Sequence, residues 1–179
     1  MSLVRESGRR WKNILFARMQ QRPRSNGRGA KKEREVMLSK NFTLAELTVS
    51  QEAARSGLNN MPNSEQIESL ILLCENILQP LRVRVKKPII ISSGFRSATV
   101  NRRIGGASTS QHCKGQAADF TIHGMSIAET VALIRKMGLP VDQCIDEFSA
   151  WCHVSFGPRN RKQFLKARLV GGKTQYQPL

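Results

Sequence analysis

Two hydrophobic periods alternate along this chain from Leu38 onward. Ile67, Leu70, Leu73, Ile77 and Leu81 recur at helical spacing behind Pro62-Asn63-Ser64, which predicts one long core-facing helix. Pro80 is expected to kink or close its last turn, because proline lacks an N–H and its ring crowds the preceding turn. Thr43 stands three residues before Glu46, and Ser126 three before Glu129. That is the spacing of a capping box, so one helix starts after Phe42 and another runs from Ser126 to Met137. Gly138-Leu139-Pro140 ends the second. Ile89-Ile90-Ile91, followed by small residues up to Gly94, reads as a buried strand entering a loop. Asn101 to Gly106 reads as a short helix or turn. Ala117 to Ile122 reads as a strand, and Gln143–Phe148 and Trp151–Phe156 as two strands around a tight turn. The predicted class is α+β, an antiparallel sheet flanked by helices.

The pattern is lost at both ends. Residues 1–36 read as a basic arm, an anchor or a disordered tail, with the helix breakers of Arg22-Pro23-Arg24-Ser25-Asn26-Gly27 inside it. Trp11, Ile14, Leu15 and Met19 fall near helical spacing there, as in a short amphipathic helix for a membrane or partner protein. Met37 is a candidate translation start for the domain that follows. That domain is placed at 37–167, with a Gly- and Lys-containing loose tail at 168–179.

Charge sharpens this division. The formal net charge is +16, and residues 1–40 hold 12 Lys+Arg against 3 Asp+Glu. Such a surface favours polyanions: anionic envelope polymers, acidic membranes or, less favoured here, nucleic acid. No apolar run approaches the roughly 18 residues of a membrane span. Ile14-Leu15-Phe16-Ala17 is too short for a secretory core of about 7 to 15 residues. A chain made in the cytoplasm without a Sec-type signal is expected. The four cysteines, Cys74, Cys113, Cys144 and Cys152, form no CxxC pair and read as buried thiols.

The chemistry concentrates in Ser110-Gln111-His112-Cys113-Lys114-Gly115-Gln116-Ala117-Ala118-Asp119 and in Trp151-Cys152-His153-Val154. His112, Asp119 and His153 offer two imidazoles and a carboxylate, the ligand set of a catalytic zinc site with one position open to water. A loop turning back at Gly115 would bring His112 and Asp119 onto one ion. His153 has to arrive from a strand paired nearby. On that strand Cys152 points away from the face that carries His153, which disfavours thiolate ligation. His123, beside Gly124, reads as a surface residue.

Ser92-Ser93-Gly94-Phe95-Arg96-Ser97, Asn101, Gly105-Gly106, Ser110-x-His112-x-x-Gly115-x-Ala117-x-Asp119 and Trp151-x-His153-Val154 occur in an order that resembles one family. This is the family of zinc D-alanyl-D-alanine carboxypeptidases and their phage endolysin relatives. Its metal core is shared with lysostaphin-type peptidases and the hedgehog signalling domain. The resemblance covers roughly residues 38–166. It implies one Zn2+ per chain, held by His112, Asp119 and His153. It implies that Arg96 binds substrate and steadies an oxyanion, and that Ser110 and Gln111 line the substrate cleft. Many members carry an acid three residues before the last histidine, where this chain has Ala150. Glu147, six residues before His153, matches a hedgehog-type spacing and is the favoured general base. Asp146 is the alternative.

The implied function is zinc-dependent hydrolysis of amide bonds in peptidoglycan stem peptides, of D-Ala-D-Ala carboxypeptidase or L-Ala-D-Glu endopeptidase type. The site of action would be the cell wall or periplasm, and the gene that of a phage, serving lysis or carried on the virion. Residues 1–36 would then meet virion proteins or envelope polymers. The alternative is a structural virion protein that keeps the fold as a docking module.

Overall fold

Local capping signals set where the helices begin. In the computed structural model, which describes residues 35–179, Thr43 caps α1 (Leu44–Thr48), Asn63 caps α3 (Ser64–Leu73) and Ser126 caps α6 (Ile127–Lys136). In all three the side chain three residues into the helix returns a bond to the cap backbone. Each such cap is worth about 1 kcal/mol. Between them lie α2 (Gln51–Ser56), α4 (Gln79–Val85) and α5 (Ala98–Arg103). The basic arm, its amphipathic segment and most of the predicted residues 1–36 lie outside the described residues.

The long helix does not stop at its proline. A π-helical turn, Cys74–Leu78, joins α3 to α4, and Pro80 sits in the first turn of α4. Widening the turn draws the Gln79 N–H onto the Cys74 carbonyl and relieves the crowding that proline imposes on the turn before it. Leu70, Leu73, Ile77 and Leu81 stay fully buried along this rod.

Two strands, β1 (Met37–Ser39) and β2 (Phe42–Thr43), form a small hairpin ahead of α1. The main sheet contains β3 (Ile89–Ser93), β4 (Ala117–Ile122), β5 (Gln143–Glu147), β6 (Trp151–Ser155), β7 (Gln163–Val170) and β8 (Lys173–Pro178). Their spatial order is β3-β4-β6-β5-β7-β8. The α+β class therefore holds, with helix α6 packed on β5 and β6.

Three expectations change. The sheet is not wholly antiparallel: β5 and β7 run parallel. β4 already occupies the far edge of β6, so the chain leaving β6 crosses the start of β5 and pairs on its free side. Asp142 is the pivot, donating its N–H to Ser155 and accepting the Gln163 N–H at its carbonyl. Residues 168–179 are not a loose tail. Gly171 and Gly172, at φ 57° and 75°, turn the chain so that β8 pairs with β7. Left-handed backbone at both positions is what a two-residue hairpin turn requires. Finally, β3 is buried on one face only: Ile89 is 6% exposed, and Ile90, on the opposite face, is 55% exposed.

Candidate metal centre

Three elements bring three donors together. Asp119 on β4 lies directly opposite His153 on β6 in an antiparallel register, so both side chains leave the same face of the sheet. His112 comes from a one-turn 3-10 helix, Gln111–Lys114, closed by Gly115 at φ 67°. A Cβ at Gly115 would meet the Gln66 carbonyl oxygen, so this turn packs against α3 only with glycine there. Gly94 is similarly held against the Leu47 carbonyl, and its own carbonyl lies 2.7 Å from His112 Nδ1. That bond makes Nδ1 the donor and turns Nε2 toward Asp119 and His153.

His112 Nε2 lies 3.3 Å from both His153 Nδ1 and Asp119 Oδ1, and His153 Nδ1 lies 2.8 Å from the same oxygen. All three donor atoms fall within 4.8 Å of one another. Two donors at about 2.1 Å from a tetrahedral centre stand about 3.4 Å apart, so these separations fit a zinc ion. His112 is 3% and Asp119 9% exposed, while His153 is half-buried at the open side. Burial pushes the His112 imidazole below its ordinary pKa, against the pull of Asp119, which favours the neutral, ligand-competent ring. Burial also opposes the Asp119 carboxylate. Hydrogen bonds and charge from the two histidines outweigh it and hold that group well below the usual carboxylate range.

The other predicted residues divide into those the fold draws to this face and those it does not. Arg96 does reach it: Nη2 stands 3.9 Å from Asp119 Oδ2, and Nε is buried without a partner. Ser110 precedes the histidine turn, and its side chain does not cap that turn. Gln111 points elsewhere. Its amide nitrogen donates to Asp142 at 2.9 Å and its amide oxygen accepts from Arg161 at 3.1 Å. With both ends of the amide engaged, it ties down the turn that carries His112.

Glu147 and Asp146 take opposite faces of β5. Ile145 is opposite His153, so Glu147, two residues on, shares the face of the metal donors. Burial raises the Glu147 carboxyl; the nearby His153 lowers it, and the charges of Asp119 and Asp146 raise it further. Asp146 is buried on the other face, where it binds Lys166 at 3.0 Å and accepts the Ser149 N–H at 2.8 Å. It buttresses the β5–β6 turn, in which Phe148 and Ser149 both sit at φ 57°. Cys152 also faces that way, 3.9 Å from Cys144. Cys113 is half-buried, unlike the other three thiols, and His123 is exposed.

Residues 40–155 match the peptidase M15 family. The chain belongs to that family. A curated relative is the zinc D-Ala-D-Ala carboxypeptidase of Streptomyces albus G, 56% identical over 34 residues, which are 19% of this chain. The match spans 13% of that protein's length.

In this M15 domain two buried-network residues escaped the sequence reading. Asp142 accepts from the Arg161 backbone N–H at 2.7 Å, from its Nε at 3.0 Å and from its Nη2 at 2.6 Å, besides the Gln111 amide. No local pattern pairs residues 111, 142 and 161. The C-terminal strand, by contrast, did carry a signal, the Gly171-Gly172 dipeptide between strand-forming residues.

Proposed function

We propose that this domain is a zinc peptidase that hydrolyses amide bonds in bacterial peptidoglycan stem peptides. The observation that carries the reading is the convergence of His112, Asp119 and His153 on one sheet face, with Glu147 on the same face and a buried, unpartnered Arg96 Nε beside them. His112 Nε2, His153 Nδ1 and an Asp119 oxygen would hold the ion. When bound, zinc would supply Lewis acidity to a scissile carbonyl and to a water molecule.

The chain's own groups account for the rest. Glu147 takes a proton from the attacking water and returns it to the leaving amine, a role suited to a carboxyl that burial makes more basic than usual. Arg96 binds the substrate carbonyl and stabilises the oxyanion. A buried N–H without a partner is costly, and a substrate oxygen would satisfy it. Ser110 lines the cleft beside it. Gln111 acts indirectly, by holding the turn that carries His112.

The anionic, peptide-crosslinked wall suits a chain of net charge +16. The likeness to phage endolysins supports a phage-encoded enzyme acting at lysis or from the virion, with residues 1–36 as its anchor. Ala150, in place of the acid of many relatives, favours a second reading: a docking module that keeps the fold without turnover.

Metal analysis and muropeptide mass spectrometry test the proposal together. About one zinc per chain and release of stem-peptide fragments, stopped by chelator, are expected. A zinc-loaded protein that leaves every peptidoglycan intact would sink the peptidase reading in favour of the docking module.

A further inference from the structure

The sheet face that carries the metal donors continues beyond them, across β5 and β7 to the C-terminal strand. Its register can be followed residue by residue. One row runs Asp119, His153, Ile145, Leu165 and Pro178. The neighbouring row runs Trp151, Glu147, Ala167 and Tyr176. Paired residues share a face, so Tyr176 and Glu147 project on the same side. Their backbones are two strand spacings apart, roughly 10 Å. Only the Ala167 methyl stands between them in that row, and it is fully buried.

Tyr176 is otherwise hard to explain. It is the chain's single tyrosine, it is 53% exposed, and it lies on a strand whose other residues are all exposed. Partial burial raises its phenol, and the negative charges of Glu147 and Asp119 raise it further, so the O–H stays protonated at neutral pH. A phenol in that state is a hydrogen-bond donor. Beside it Ile145 is buried and Leu165 half-buried. Together they make an apolar floor leading outward from the metal donors, bounded by an acceptor, Glu147, and a donor, Tyr176.

We propose that the β7–β8 hairpin completes the substrate cleft and that Tyr176 is a further substrate-contacting residue, its O–H donating to a backbone carbonyl of a stem peptide laid across β5 and β7. This rests on the peptidase reading above. The hairpin thereby extends the cleft beyond residues 40–155, the stretch matched to the family.

The test uses the full chain loaded with zinc and a soluble stem pentapeptide. Tyr176→Phe keeps the ring and removes only the hydroxyl, so folding is preserved. Relative to wild type, kcat/KM is expected to fall roughly two- to tenfold, the range of one neutral hydrogen bond, with zinc content and Tm unchanged. Binding gives a readout independent of turnover. In a Glu147→Gln background, adding Tyr176→Phe is expected to weaken the dissociation constant by a similar factor. Ring-labelled tyrosine then yields one NMR signal, which is expected to shift and saturate with the peptide.

An active wild type with a Tyr176→Phe variant equal to it in kcat/KM and affinity overturns this inference and leaves the peptidase reading standing. An unmoved ring signal at saturating peptide does the same. A zinc-loaded wild type that neither binds nor cleaves the peptide removes both.

Discussion

Arg161→Met probes the link between the fold and the metal site most directly. The Asp142 side chain is fully buried and accepts four hydrogen bonds, two of them from the Arg161 guanidinium. The variant leaves the carboxylate in place with only the backbone N–H of residue 161 and the Gln111 amide. Removing one partner of a buried ion pair costs about 3 to 5 kcal/mol. Two donors remain and the guanidinium is 29% exposed, so the low end, about 3 kcal/mol, applies. For a domain of this size that lowers Tm by about 10 °C, at roughly 2–4 °C per kcal/mol. Gln111 also loses the partner of its amide oxygen, which loosens the turn holding His112. Zinc affinity is expected to fall about tenfold, as for other groups that orient a ligand. Thermal unfolding followed by circular dichroism and a chelator competition measure the two effects. Asp142→Leu combined with Arg161→Met removes the stranded charge and is expected to recover most of the stability but not the zinc affinity. A Tm within 2 °C of wild type for Arg161→Met would refute the reasoning, since no buried charge would then have been stranded.

Further outcomes follow from the same geometry. Glu147→Gln is expected to lower kcat by about 10²–10⁴ while a full zinc complement is retained; wild-type turnover on muropeptides would move the proton carrier elsewhere. Gly115→Ala places a side chain at φ 67° against the Gln66 carbonyl, so denaturant unfolding is expected to show a loss of more than about 1 kcal/mol. Burial opposes the Asp142 carboxylate, but hydrogen bonds from Arg161 outweigh it and lower its pKa. The resulting stabilisation is present above the unfolded value of about 3.9 and is lost as pH falls through the folded one. The stability gap between wild type and Arg161→Met is therefore expected to narrow in urea titrations from pH 5 toward pH 2.5. A gap that stays constant would show that the pair does not set the Asp142 titration.

Much of the fold was legible because its signals are local. Thr43 with Glu46, and Ser126 with Glu129, satisfy helix N–H groups within a single turn, and the structure shows both boxes. Ala117–Ile122 and Trp151–Ser155 are strands, as their short runs between turn residues predict without reference to a distant partner. The order of SGFR, SxHxxGxAxD and WxHV was likewise sufficient to suggest a zinc peptidase family. The faces of β5 were not legible. Glu147 and Asp146 are neighbours, and only the pairing of Ile145 with His153 decides which of them joins the metal donors.

Composition, capping and motif order by themselves determined the class of this protein, the starts of the three helices behind Thr43, Asn63 and Ser126, and the three residues offered to a metal. Gln51–Ser56 went unread, and the helix read at Asn101 to Gly106 runs over Ala98–Arg103. Tertiary structure alone decided what stands around them. The chain had to cross the start of β5 because β6 was already flanked by β4, and that crossing made β7 parallel and put Arg161 onto Asp142. The same crossing carried a segment that reads as a loose tail onto the sheet, setting Tyr176 in a row with Glu147. Backbone pairing between segments far apart in sequence supplies that order, and no local pattern encodes it.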